Sequence, residues 1–292
     1  SYIFPNHYYI CCMIDPLAAI TTGLAADFVT LQTEQGDVLT EIQNDTLLHS
    51  SLWINIALAG LSILLFLYLG QRISEHRSRL IWGATLMIPL VSISSYLGLA
   101  SGLTVGFLEM PSGHALAGEV VISQWGRYLT WTFSTPLILL ALGLLAEVDT
   151  ADLFMVILAD VGMTLTGLAA ALTTSSYAYR WGFYLVSTAF FLVVLYALVV
   201  EWPGDAAAAG TSEIFSTLRT LTVVLWLGYP IVWALGVEGL AIVDSVGLTS
   251  WGYSALDILA KYVFAYLLLR WVADNERVVA GRETPTSAPA DD

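Results

Sequence analysis

Seven stretches of this 292-residue chain are long and apolar enough to cross a bilayer. They run over about Leu52–Gly70, Leu80–Leu103, Trp125–Leu145, Leu153–Thr173, Trp181–Val200, Leu218–Leu235 and Thr249–Trp271. Inside hydrocarbon every backbone N–H and C=O must be satisfied within the protein, so only helices and closed barrels span. Runs of about 20 residues fit helices; barrel strands are about half that length. The pattern predicts an all-α integral membrane protein, a seven-transmembrane-helix bundle over residues 49–273. Pro89, Pro136 and Pro230 fall inside three of the runs; neighbouring helices can satisfy the backbone groups they free.

The flanks are polar by comparison. Residues 1–48 contain no run long enough to span and read as an extracellular segment, helical in part over Pro16 to Leu31. Residues 274–292 read as a disordered cytoplasmic tail. Acidic residues outnumber basic ones 24 to 10, for a net charge of −14. That balance argues against nucleic acid as a partner and fits the exterior of a halophile's membrane protein in concentrated salt. Arg72, Arg77 and Arg79, then Arg219, then Arg270, Arg277 and Arg282 fall on one side of a seven-crossing bundle. By the positive-inside rule that side is cytoplasmic. The adjacent Cys11 and Cys12 form no disulfide framework. His7, His49 and His76 have no metal spacing, and His114 reads as a surface loop residue. The sequon at Asn44 reads as chance.

Within this apolar chain one residue stands apart. Lys261 is the only lysine, and it lies in the middle of the last run. An ionisable side chain at bilayer depth is a functional hypothesis by default. Asp257 sits one turn earlier on the same face. Unlike arginine, a buried amine can lose its proton and condense with an aldehyde. The bland alternative is a self-neutralising Lys–Asp pair, which apolar residues could replace at little cost. On run three, Arg127, Thr130, Ser134 and Ala141 share one helix face, polar at its outer end. Arg127 needs a partner elsewhere, either Asp257 or a bound anion. On run six, Arg219, Thr222, Trp226, Tyr229 and Trp233 share a face. With Trp131 and Tyr184 these rings can form an elongated apolar slot beside Lys261, suited to a long conjugated aldehyde. Asp160 on run four reads as a structural carboxyl hydrogen-bonded to another helix.

Seven crossings, Asp257 and Lys261 on the last helix, Arg127-Tyr128 with Trp131 and Thr135-Pro136 on the third, and Trp226-x-x-Tyr229-Pro230-x-x-Trp233 on the sixth resemble the microbial (archaeal) rhodopsins from about Leu52 to Trp271. The resemblance implies all-trans retinal bound to Lys261 as a protonated Schiff base, Asp257 as counterion and photoisomerisation as the driving event. It carries the family's pocket onto Trp131, Thr135, Met163, Gly167, Tyr184, Ser187, Trp226, Tyr229, Pro230 and Trp233. It also suggests a homotrimer.

Two departures set the subtype. The family's proton pumps have aspartates where this chain has Thr130 and Ala141. Thr130, Ser134 and Ala141, with the loop Glu109 to His114, resemble the halorhodopsin branch instead, which implies light-driven inward chloride transport rather than enzyme catalysis. The charges agree. A protonated Schiff base and Arg127 against Asp257 leave one positive charge unbalanced at low dielectric. A halide can fill that deficit, held by Thr130 and Ser134. Gln124 and Arg127 are expected on the outer inlet, Arg219 and Thr222 on the inner outlet, with Ser92 and Ser95 adding hydroxyls. The rivals are a photosensor signalling to a membrane partner, a proton pump, and a helical bundle with no chromophore.

Overall fold

The computed structural model describes residues 36–281. The part-helix expected over Pro16 to Leu31 lies outside them, as do Arg282 and the end of the tail. Residues 36–44 are helical. The crossings follow as α1 (Thr46–Gly70), α2 (His76–Ala100), α3 (Gly126–Ala146), α4 (Thr150–Leu172) and α5 (Tyr177–Tyr196). The fifth crossing continues through a π-helical turn, Ala197–Glu201, into α6 (Trp202–Ala208). The sixth is α7 (Ser212–Leu235). The seventh is α8 (Val246–Asp257), a π-helical turn Ile258–Val263, and α9 (Phe264–Asp274), followed by the single turn α10 (Glu276–Val279).

Six of these helices are long and apolar enough to cross a membrane. The seventh is divided by its π turn, so neither α-helical half reaches that length alone. Five helices start a turn before their apolar run, because a polar cap lies outside it. Asp45 accepts from the N–H groups of Leu47 and Leu48 at 2.9 and 3.0 Å. Glu75, Asp149, Ser176 and Ser245 cap α2, α4, α5 and α8 in the same way. Large aliphatic side chains such as Leu61 and Leu64 stay 63% and 66% exposed, as lipid-facing positions do.

The bundle is not purely helical. Between α2 and α3 the chain forms a two-stranded antiparallel hairpin, β1 (Gly106–Glu109) and β2 (Val120–Ser123), with Gly106 opposite Ser123 and Glu109 opposite Val120. The strands are four residues each, too short for an alternation signal in the sequence. His114 lies at the hairpin's turn and is 5% exposed, not a surface residue. It packs edge-on against Tyr177.

At the opposite end residues 276–279 of the tail, expected to lack structure, form α10. The Glu276 carboxylate accepts from Ser74 N–H and Oγ at 2.6 and 3.0 Å, which ties residues 276–279 to the α1–α2 turn. Arg77 reaches across to the C-terminus of α3, donating from Nε to Leu144 O at 2.7 Å and pairing with Glu147. Those contacts place Arg72, Arg77, Arg79 and Arg277 at one end of the bundle.

Candidate functional site

Lys261 and Asp257 are each 1% exposed, and Lys261 Nζ lies 2.9 Å from Asp257 Oδ1. Lys261 sits inside the π turn of the seventh crossing, a local widening common at functional sites. Asp257 is held by two phenols. Tyr229 donates to Oδ1 at 2.7 Å and Tyr96 to Oδ2 at 2.8 Å. Both donors favour the ionised carboxylate.

Arg127 is 2% exposed and does not meet Asp257 directly. Tyr96 stands between them, accepting from Arg127 Nη1 at 3.0 Å while donating to Asp257. Arg127 also donates from Nε to Gln124 Oε1 at 2.9 Å and from Nη2 to Ser250 Oγ at 2.6 Å. The guanidinium lies over the rings of Tyr96 and Tyr253, 5.4 Å from each centroid. The partner sought from sequence is therefore a tyrosine relay. Among the described residues no carboxylate forms an ion pair with Arg127. Lys261 and Arg127 against Asp257 leave this buried cluster one negative charge short.

Hydroxyls line the same region. Thr130, Ser134 and Ala141 are buried along α3, as their spacing predicts. Thr130 Oγ1 hydrogen-bonds Ser95 Oγ and also donates to Gly126 O at 3.1 Å. Ser95 Oγ also reaches Gly126 O, at 3.0 Å, so the hydroxyl pair sits at the first turn of α3, beside the backbone of Arg127. Ser134 Oγ is buried with no hydrogen-bond partner, a donor waiting for an acceptor. Ser92 is buried but donates to Ile88 O of its own helix at 3.0 Å. Thr222 does the same toward Leu218 O at 2.9 Å, and Arg219 lies half-buried one turn before it.

The ten ring and small residues expected to form a slot do line one cavity. Trp131, Met163, Tyr184, Trp226, Pro230 and Trp233 supply most of its apolar wall. Tyr184 stacks on Trp233 at 4.7 Å and Trp131 meets Tyr229 edge-on at 5.2 Å. Tyr229 joins the cavity to the charges, because its ring lines the slot and its hydroxyl holds Asp257. At Gly167 an added Cβ would come to 3.4 Å from Ser187 Oγ and Tyr128 Cε1, the near edge of ordinary contact, so the backbone there approaches the opposite wall closely. Asp160, 0% exposed, takes Thr135 Oγ1 at 2.6 Å across the α3–α4 interface, as its structural reading requires. An elongated, mainly apolar group with one end at Lys261 fits this donor set and shape.

A second, smaller cavity lies toward the hairpin end, lined by Gln124, Arg127, Tyr128, Glu238, Thr249 and Tyr253 among others. It places Gln124 and Arg127 on the hairpin side of the cluster. Glu238, in the α7–α8 connection, takes the Tyr128 hydroxyl at 2.8 Å. Burial pushes its carboxyl up, opposed chiefly by the nearby Arg180.

Sequence reasoning missed Tyr96, Ser250, Ser254 and Asn55. Ser250, Ser254, Asp257 and Lys261 recur at offsets 0, 4, 7 and 11, a readable helix face. Tyr96 carries no such signal; only packing brings it between Arg127 and Asp257.

Comparison with known proteins agrees with this geometry. A family model described as bacteriorhodopsin-like protein matches residues 46–275. Halorhodopsin of Haloterrigena sp. (strain arg-4) is 76% identical over 83% of this chain and 82% of its own length. Cruxhalorhodopsin-3 of Haloarcula vallismortis is 68% identical over 90% of this chain and 96% of its own. A solved structure described as halorhodopsin, a light-driven chloride pump, superposes with a TM-score of 0.80 at 72% identity, covering 81% of this chain and 99% of that one. With a full-length bundle, a lone lysine paired to a carboxylate and an aromatic slot beside them, the chain belongs to the bacteriorhodopsin-like family, within its halorhodopsin branch.

Proposed function

We propose that this protein is a light-driven chloride pump of a haloarchaeal cell membrane, moving the anion inward. The observation that carries the reading is the charge deficit around Lys261, Arg127 and Asp257, with Thr130 where a carboxylate would close it. Its halorhodopsin relatives and a structure described as a light-driven chloride pump support the same assignment.

Retinal, all-trans and joined to Lys261, would supply visible absorption and a light-driven change of shape. The chain's own residues do the rest. Trp131, Tyr184, Trp226 and Trp233 confine an elongated group and exclude water from it. Tyr229 and Tyr96 hold Asp257 ionised and aimed at Lys261. That carboxylate neutralises one of the two cations, and chloride neutralises the other. Thr130, Ser95 and the unpartnered Ser134 hydroxyl are the donors that receive it. Gln124 and Arg127, on the smaller cavity, deliver it from the hairpin end. Beyond Thr130 and Ser134 on α3, Ala141 offers the anion no fixed negative charge to repel it. Thr222 and Arg219 lie farther along and form the outlet. We assign the hairpin end to the extracellular side, because the arginines at the α1–α2 turn and the tail cluster at the other end.

Among the described residues no carboxylate side chain bonds Thr130 or Arg127. A proton pump therefore lacks its acceptor at this place. The test is a halide titration of purified, retinal-loaded protein, read from its visible absorption as sulfate is replaced by chloride. The expected result is a saturable shift, lost in the Thr130→Val/Ser134→Ala variant. A pigment indifferent to chloride would overturn the pump mechanism.

A further inference from the structure

The seventh crossing departs from α-geometry just after Asp257 and through Lys261, and something must hold it there. A π turn accommodates one extra residue, so relaxing it to regular α-helix would rotate the following residues by about 100°. Lys261 lies within that turn and Asp257 just before it. Helix α1 carries two fully buried polar side chains, Ser51 and Asn55, one turn apart. Both reach the seventh crossing. Ser51 Oγ meets Ser250 Oγ at 2.6 Å. Asn55 makes two bonds: Nδ2 donates to Ser254 O at 3.1 Å, and Oδ1 accepts from Tyr262 Oη–H at 2.6 Å.

Those two bonds bracket the chemistry. Ser254 lies three residues before Asp257, and Tyr262 is the residue after Lys261. One rigid amide on a neighbouring helix therefore spans the start of the π turn and the far side of the lysine. Ser254 in turn sits 3.4 Å from the Tyr96 hydroxyl, the group that links Arg127 to Asp257. An amide at this depth does nothing for α1 itself, whose backbone is already satisfied.

We propose that Asn55 is a positioning residue: bound to both Ser254 and Tyr262, it holds the π turn in register and so sets how Lys261 faces Asp257. This rests on the reading of Lys261 as the retinal attachment point. Asn55 touches neither retinal nor anion. Its effect appears where the Lys261–Asp257 geometry is read: in the absorption maximum and in halide affinity, which depends on the same charge balance.

The experiment compares full-length, retinal-loaded Tyr262→Phe, Asn55→Leu and the double variant with the parent protein. Tyr262→Phe removes one hydroxyl and keeps the ring, so it reports even if Asn55→Leu does not fold. The absorption maximum is measured in sulfate, and the chloride affinity by titration. Each single variant should shift the maximum and weaken chloride binding about three- to tenfold, the scale of one or two buried hydrogen bonds. The double variant should match Asn55→Leu, since both changes break one clamp. A Tyr262→Phe pigment with parental maximum and affinity, differing only in thermal stability, would reduce Asn55 to a packing role and overturn the proposal. If the parent forms a pigment that ignores chloride, the pump reading fails, yet the maxima in sulfate still decide the clamp.

Discussion

Placing a carboxylate at position 130 should abolish the need for a mobile anion. Thr130 is 2% exposed and its hydroxyl bonds Ser95, the neighbour of the Tyr96 that joins Arg127 to Asp257. Thr130→Asp adds one fixed negative charge to a cluster that is one negative charge short. Two unit charges about 4 Å apart interact by about 4 kcal/mol at an effective dielectric of about 20. Chloride would lose that attraction to the now-neutral cluster and meet a like charge as well. A loss of about 4 kcal/mol corresponds to about a thousandfold weaker binding. Titrating the variant's visible absorption from sulfate into chloride should show no saturable shift in the range that saturates the parent. The pigment should still form, because the aromatic slot is untouched. Light should then move protons to some degree, since an acceptor stands where proton pumps of the family have one. A Thr130→Asp pigment that binds chloride with parental affinity would refute the charge argument and the placement of the anion.

Three other perturbations test other parts of the structure. Tyr96→Phe removes the hydroxyl between Arg127 and Asp257 at 3.0 and 2.8 Å; with about 1.5–3 kcal/mol for each charge-assisted bond, thermal bleaching should be at least tenfold faster, and an unchanged rate would show the relay to be dispensable. Gly70→Ala drives a Cβ into the Trp82 indole, itself tied to Phe66 O at 2.9 Å; a cost of about 1–3 kcal/mol should appear as a lower thermal midpoint. Glu238, raised above its ordinary range by burial, favours the folded state in its protonated form. Its contribution is fully present below the ordinary glutamate range and lost as pH rises through the elevated folded value. Glu238→Gln should remove that share of the fall in thermal midpoint as pH rises above the ordinary glutamate range, and an identical pH profile would count against it.

The crossings were legible because length and hydropathy alone specify a span. Their starts were not, since caps such as Asp45 and Ser245 stand outside the apolar runs. The hairpin was invisible because four-residue strands carry too little periodicity, and His114 is buried because that hairpin folds it against Tyr177. Of the site, Lys261 with Asp257 and the α3 face were readable, being local in sequence at helical spacing. The α7 rings were readable for the same reason. Tyr96 was not, because its importance comes from a separation of 161 residues to Asp257 and 31 to Arg127.

That difference explains why the subtype could be argued from so few positions. Helical spacing places groups on one face; it says nothing about which faces meet. The charge count needs only to know which ionisable groups are buried together, and in a membrane there are few. Lys261 and Asp257 on the seventh crossing and Arg127 on the third are brought together and linked by phenols rather than by a further carboxylate. An excess positive charge so enclosed demands an anion, and the residue at position 130 decides whether that anion is fixed to the chain or free to move. Thr130 leaves it free, and an anion that is free to move is one the protein can transport.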